Sequence, residues 1–195
     1  MSYEILPDGD GHTKLSEEDR KGLKPAYIAT RGELYEAEQR NIASALLKAS
    51  PGVPQLLDDS YLRRLHKSMF EDVWAWAGTY RRRETNLGID PLEIAVSVKN
   101  LLEDTRVWVD ESVFEADELA IQFHHRLVLI HPFPNGNGRH GRIAADFLIA
   151  AIGSAKFSWG SGLGLDTQAL REAYLRALRL ADQGEIAELV TFARS

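Results

Sequence analysis

Apolar residues recur at helical spacing along most of the chain, and polar breaks cut the pattern into separate elements. Thr30-Arg31-Gly32-Glu33 reads as a capping box, hydroxyl first and glutamate three residues later. The helix behind it is striped by Leu34, Ala37, Ile42, Ala45 and Leu46, and Pro51 and Pro54 stop it. Asp58-Asp59-Ser60 caps a second helix, with Tyr61, Leu65, Met69, Val73, Trp74 and Trp76 on its apolar side and Gly78 at its end. Pro91 suits the first turn of a third, striped by Ile94, Val98, Leu101 and Leu102, with a loop containing Trp108 after it. The next starts near Asp117 and carries Leu119, Phe123, Leu127 and Ile130. An apolar helix runs from Ile143, and residues 156–164 form a loop. Leu170, Ala173, Tyr174, Ala177, Leu178 and Ala181 stripe a long helix that breaks at Asp182-Gln183-Gly184. Ile186, Leu189, Val190 and Phe192 mark a short final one.

Two stretches depart from this pattern. Residues 1–25 are irregular, with a turn-rich Asp8-Gly9-Asp10-Gly11-His12 and a short helical turn capped by Ser16. The alternating aspartates lack the rest of an EF-hand loop. Residues 78–90 are polar and β-tolerant, with glycine and asparagine for turning, and predict a small hairpin or extended flap. Its arginine run suits either a solvated face or the neighbourhood of an anion. There is no internal repeat. The expected architecture is mainly α, a single helical domain with a small β-hairpin flap. Residues 1–55 are read as an N-terminal extension and 56–195 as the core domain.

Composition narrows the chemistry. The chain has 195 residues, 44% of them hydrophobic, enough for one ordinary core. A net charge of -6 disfavours generic nucleic-acid binding. With no cysteine, disulfides, thiolate metal sites and a cysteine nucleophile are excluded. Met1-Ser2-Tyr3-Glu4-Ile5 lacks a signal pattern, and no apolar run approaches the roughly 20 residues that span a bilayer. A cytoplasmic location, away from membranes, is expected.

Polar and conformational specialisation concentrates in His131-Pro132-Phe133-Pro134-Asn135-Gly136-Asn137-Gly138-Arg139-His140-Gly141-Arg142. Three glycines with two arginines suggest backbone held close to an anion at a helix N-terminus. A Walker A loop is excluded, because Arg142 and Ile143 stand where lysine and a hydroxyl belong. His124, His125, His131 and His140 match no standard zinc spacing. Arg139 and Arg142 could touch nucleic acid, but no aromatics interleave with them. The reading that uses the whole stretch is group transfer from a nucleoside phosphate. His131 would act as general base and the glycine loop would cradle phosphate, with Arg139 and Arg142 at its oxygens.

The stretch resembles the signature of the Fic (filamentation induced by cAMP) family, His-x-Phe-x-Asp/Glu-Gly-Asn-Gly-Arg-x-x-Arg. Residues 76–81, 123–130 and 173–184 resemble the family's flap approach, its helix before the motif and its closing helix. Within the family the chain is similar to the small Fic proteins called mobile mystery protein B, which are associated with bacterial mobile elements. The resemblance implies transfer of AMP from ATP to a serine, threonine or tyrosine hydroxyl of a target protein. It implies His131 as base, Phe133 as loop anchor, Gly136, Asn137 and Gly138 as anion nest, and Arg139 and Arg142 as phosphate contacts. It also implies that the flap, Arg83, Glu84, Thr85, Asn86, Leu87, Gly88 and Ile89, aligns the target by strand addition.

The family's acidic residue, which holds Mg²⁺, is Asn135 here. A neutral carbonyl implies weaker use of Mg²⁺ or Mn²⁺. Many relatives also place an inhibitory glutamate against the second motif arginine, and Glu38, or next Glu36, is expected to pair with Arg142. Transfer of a phosphate or another nucleotide-derived group, or a catalytically weak nucleotide-binding module, stands as the alternative. A small antitoxin-like partner and a homo-oligomer fit the same resemblance.

Overall fold

Local signals set most element ends in the computed structural model, which describes residues 17–47 and 51–195. The turn-rich 8–12 stretch and the Ser16 cap lie outside the described residues. Helix α1 (Glu17–Arg20) is a single turn. Thr30 caps α2 (Arg31–Leu46): its hydroxyl accepts the Glu33 N–H at 3.2 Å, while Glu33 Oε2 accepts the Thr30 N–H at 2.9 Å. After the short α3 (Val53–Leu56), Asp58 caps α4 (Asp59–Phe70) by accepting the Tyr61 N–H at 3.1 Å.

Helix α4 ends at Phe70, earlier than its apolar pattern predicts, and Val73, Trp74 and Trp76 sit in the turns beyond. These turns pair with the N-terminal segment through an isolated antiparallel bridge between Leu23 and Trp74. After a 3-10 turn at Pro91–Glu93, α5 (Ile94–Asp110) runs through Trp108, which therefore lies in helix rather than loop. Helices α6 (Ala116–Ile130), α7 (Asn137–Ala151), α8 (Thr167–Ala181) and α9 (Ile186–Arg194) complete the chain.

The core forms around α6, which packs against α5, α7 and α9. Leu119, Ala120, Ile121, Phe123 and Leu127 are buried on it. Helix α2 lies across α4 and adds Ala37, Ile42 and Ala45 to the same apolar cluster. Trp74, Phe70, Phe123 and Phe133 are among the largest fully buried side chains of the described residues. Each such burial is worth roughly 1.5–3 kcal/mol. Among the described residues no helix is long and apolar enough to cross a membrane.

The expected β-hairpin flap is absent, since the described residues contain no strand. Residues 81–89 are irregular because their hydrogen bonds go elsewhere. The Arg81 N–H donates to Pro132 O at 2.9 Å and the Ile89 N–H to Ile130 O at 3.5 Å. Both ends are thus tied to the α6–α7 connection, and no cross-flap ladder forms.

Candidate active site

His131 ends α6. It takes the left-handed position, φ 54°, that glycine usually occupies after a helix, and its N–H donates to Leu127 O at 3.2 Å. A side chain at this φ is strained, and surrounding structure must hold it there. The following Pro132 cannot continue the helix. The ring is buried, and its Nδ1–H donates to Val128 O at 3.2 Å. That tautomer makes Nε2 the basic nitrogen. Burial, opposed by the Val128 carbonyl and aided by the Arg81 charge, brings the ring down to about 4. His131 is therefore neutral, and so able to accept a proton, at neutral pH.

Arg81 holds this strained corner. Its Nε donates to His131 O at 2.7 Å, and its Nη2 donates to Ile89 O at 2.5 Å and Ile130 O at 3.4 Å. Its Nη1 donates to Arg83 O at 3.1 Å. The guanidinium sits at the end of α6, where carbonyls lack helical partners and a cation suits the dipole. Arg81 thus ties both ends of the flap to the backbone of His131. Sequence alone did not separate it from its neighbours Arg82 and Arg83, since all three read as one charge run.

Helix α7 starts at Asn137, not at Ile143, so Arg139 and Arg142 project from its first two turns. Gly136 is its N-cap at φ 80°, and a Cβ there would lie 2.6 Å from the Phe70 ring. No side chain caps the helix, which leaves its first turn as an anion-binding end. Asn137 shapes this end. Its Oδ1 accepts the Phe133 N–H at 2.9 Å and its Nδ2 donates to Phe133 O at 2.8 Å. The Asn137 side chain is therefore spent on the loop, and only its backbone N–H remains for a nest. Asn135 Oδ1 accepts the Gly136 N–H at 2.5 Å.

Beneath the loop, the fully buried His66 stacks on Phe133 with centroids 3.7 Å apart. Its Nε2–H donates to Asn135 O at 3.0 Å, and its Nδ1 accepts the Gly78 N–H at 3.0 Å. Burial holds His66 well below the usual imidazole range, so it is a neutral strut. Nothing in its local sequence distinguishes it from any other histidine on an apolar helix face.

The glutamate contact differs from expectation. Glu38 is buried and pairs with Arg139, at 2.7 Å, not with Arg142. Its other oxygen accepts the Trp74 Nε1–H at 2.7 Å. The Arg139 guanidinium also lies 4.9 Å from the centre of the Phe70 ring. Arg142 instead packs over Tyr174 at 5.0 Å. Glu36 is exposed on the other side of α2 from the buried Ala37 and Glu38. Of the expected flap residues, Ile89 and Gly88 come nearest the site: a Cβ on Gly88 would lie 2.5 Å from His131 Cβ.

Residues 56–149 match the family model described as the Fic/DOC family. A probable protein adenylyltransferase of Aquifex aeolicus is 33% identical over 90 residues, 46% of this chain and 25% of that protein. A probable protein adenylyltransferase of Sinorhizobium fredii is 32% identical over 122 residues, 58% of this chain and 62% of that protein. Among solved structures, the BepC effector of Bartonella tribocorum with bound AMPPNP superposes with a TM-score of 0.68 at 19% identity. That likeness covers 92% of this chain and 97% of the other, and it shows the shared fold. The fold is that of solved Fic domains, and the family match covers just under half of the chain. The chain spans between a quarter and just under two thirds of the length of these two curated relatives.

Proposed function

We propose that the chain is a protein adenylyltransferase that moves AMP from ATP to a serine, threonine or tyrosine hydroxyl of a target protein. The observation that carries this reading is His131, fixed as a neutral base beside the uncapped N-terminus of α7. The names of the Aquifex and Sinorhizobium relatives support it, and the AMPPNP-bound relative supports ATP as donor.

In this reaction His131 Nε2 takes the proton of the target hydroxyl as its oxygen attacks the α-phosphorus. The bond from that phosphorus to the bridging oxygen breaks, and pyrophosphate leaves with the electron pair. Backbone N–H groups of Asn137, Gly138 and Arg139 cradle phosphate, and Arg139 and Arg142 neutralise its charge.

The family resemblance implies a divalent ion, and this loop does not fit it. Asn135 is neutral and its Oδ1 already accepts the Gly136 N–H. Among the described residues no three His, Asp or Glu side chains gather into a metal-binding group. Asn135 thus offers only a neutral oxygen that already holds one hydrogen bond, a weak ligand, and the phosphate charge falls mainly to the two arginines and the helix end. That neutral position is also what favours the second reading, transfer of the γ-phosphate or another nucleotide-derived group.

Glu38 is the inhibitory element in this reading. It occupies Arg139, the guanidinium closest to the α7 N-terminus, and Trp74 orients the carboxylate. Glu38→Gln is expected to tighten ATP binding about tenfold, a typical worth for one charged contact. Trp74→Phe, which keeps the ring but loses the donor, is expected to tighten it about threefold. Isothermal titration with ATP checks both, and equal affinities in all three proteins would remove the inhibitory role.

The reaction itself is tested with α-³²P-ATP and γ-³²P-ATP in separate incubations with cell lysate. Wild type, His131→Ala and Glu38→Gly are compared with Mg²⁺, with Mn²⁺ and with chelator. Label from the α position that requires His131 supports adenylylation, and label from the γ position alone supports phosphotransfer. No label from either, with ATP bound and Glu38 removed, leaves a nucleotide-binding module.

A further inference from the structure

We propose that Arg83 on the flap recognises an acidic side chain of the target segment, and that Glu18 of the chain's own N-terminal arm occupies Arg83 at rest. The inference rests on the reading of the chain as a protein-modifying Fic domain.

The arm is residues 17–24. Main-chain pairing pins its base to the turns after α4. The Lys24 N–H donates to Val73 O at 2.9 Å, and the Ala75 N–H donates to Gly22 O at 2.8 Å. The Trp76 indole N–H donates to Asp19 O at 2.9 Å. Gly22 passes so close that a Cβ would lie 2.6 Å from the Trp76 ring. Beyond this base the arm carries Glu17, Glu18 and Asp19, and the Glu18 carboxylate pairs with Arg83. Each partner shifts the other: the Arg83 guanidinium lowers the Glu18 carboxyl, and Glu18 raises Arg83. The two side chains remain 68% and 54% exposed. An ion pair in water is weak and open to exchange, so an incoming carboxylate can take the place of Glu18.

Arg83 also stands in the right place. Its carbonyl and that of His131 accept hydrogen bonds from the same Arg81 guanidinium. A single buried side chain therefore separates the flap backbone at Arg83 from the base. A target segment that lies along the flap with its hydroxyl at His131 passes Arg83 within a few residues. Guanidinium suits bidentate capture of a carboxylate. Glu84 beside it and Asp90 at the far end of the flap are exposed as well. Their charge disfavours a run of acidic residues, so the surface selects one carboxylate near the hydroxyl.

The experiment uses fluorescein-labelled serine peptides, with Asp, Asn or Lys placed two to five residues from the serine. Anisotropy reports their binding to the full chain without nucleotide. The Glu18→Gln variant is expected to bind the best Asp peptide about three- to tenfold more tightly than wild type does, and more tightly than the matched Asn peptide. Arg83→Glu is expected to abolish the Asp preference and favour Lys. Equal binding of Asp and Asn peptides by Glu18→Gln overturns the proposal. So does a preference that survives Arg83→Glu, or no binding of any peptide. Transfer from α-³²P-ATP to the same peptides is scored separately. With Glu38 also replaced by glycine, an acidic preference without transfer supports this recognition and sinks the adenylylation reading, whereas transfer without charge preference sinks the recognition alone.

Discussion

Acidification is expected to unfold the protein well above the usual range for carboxylate protonation. His66, His124, His131 and His140 are all buried and held neutral by desolvation. His124 is pulled down to about 3, and His131 and His140 to about 4. Unfolding returns each ring to water, where its pKa is about 6.5. Between these values the unfolded state binds more protons than the folded one, so stability falls as pH drops. The contribution is intact above the unfolded value and is lost progressively from about pH 6.5 down towards 4. At pH 5 His124, His131 and His140 cost about 2 kcal/mol each, roughly 6 kcal/mol for the three, and His66 acts in the same direction. That is comparable with the whole stability of a typical domain, about 5–15 kcal/mol. The lowered carboxylates Glu33, Asp58 and Asp117 add to the loss only nearer pH 4.

Thermal melts should therefore show a steady Tm above pH 7 and a steep fall between pH 6.5 and 5. Calorimetry in buffers of different ionisation enthalpy should find uptake of about three to four protons on unfolding at pH 5. Uptake below one proton would refute the account. Loss of activity below pH 6 should follow this unfolding and not the protonation of His131 within the folded chain.

Replacing Arg81 is expected to be the most damaging change to the flap. Methionine keeps much of the buried stem but leaves the carbonyls of His131, Ile89 and Arg83 without their side-chain donor. An unsatisfied buried group costs about 1–3 kcal/mol, and water reaching the exposed Arg83 backbone recovers part of this. Arg81→Met should therefore lose about 2–4 kcal/mol. Arg81→Lys keeps the charge but lacks the planar fork, and should fall between the two. Chemical denaturation measures the loss. Hydrogen exchange separates positioning from general destabilisation: amides of residues 81–89 should exchange faster in the variant at a denaturant level where α5 and α6 stay protected. A uniform change across the chain would make Arg81 merely structural. Transfer by the folded variant should drop through kcat more than through the KM for ATP, because Arg81 holds His131 and not the phosphate loop.

Signals that act over a few residues carried most of the fold. The Thr30 box and the Asp58 cap formed as written, because each depends on hydrogen bonds within one turn. The helical stripes held because burial of an apolar face sets their period. The run from His131 to Arg142 was legible because it joins a helix end, glycines and paired arginines in one stretch. What depended on partners distant in sequence was not legible. The residues at the end of α4 carry a helical pattern, yet they leave the helix and pair with the N-terminal arm. The flap has hairpin chemistry, yet its donors turn to the α6–α7 connection and Arg81 takes the carbonyls.

Taken by itself, the sequence determined a helical domain organised on one histidine and one glycine loop. Only the tertiary structure decided which arginine Glu38 meets, which of three adjacent arginines is buried, and that His66 supports Asn135. Helix periodicity and capping are settled within a few residues of chain. The choice of partner for a long polar side chain is settled by which helices cross, and crossing is a property of the packed core.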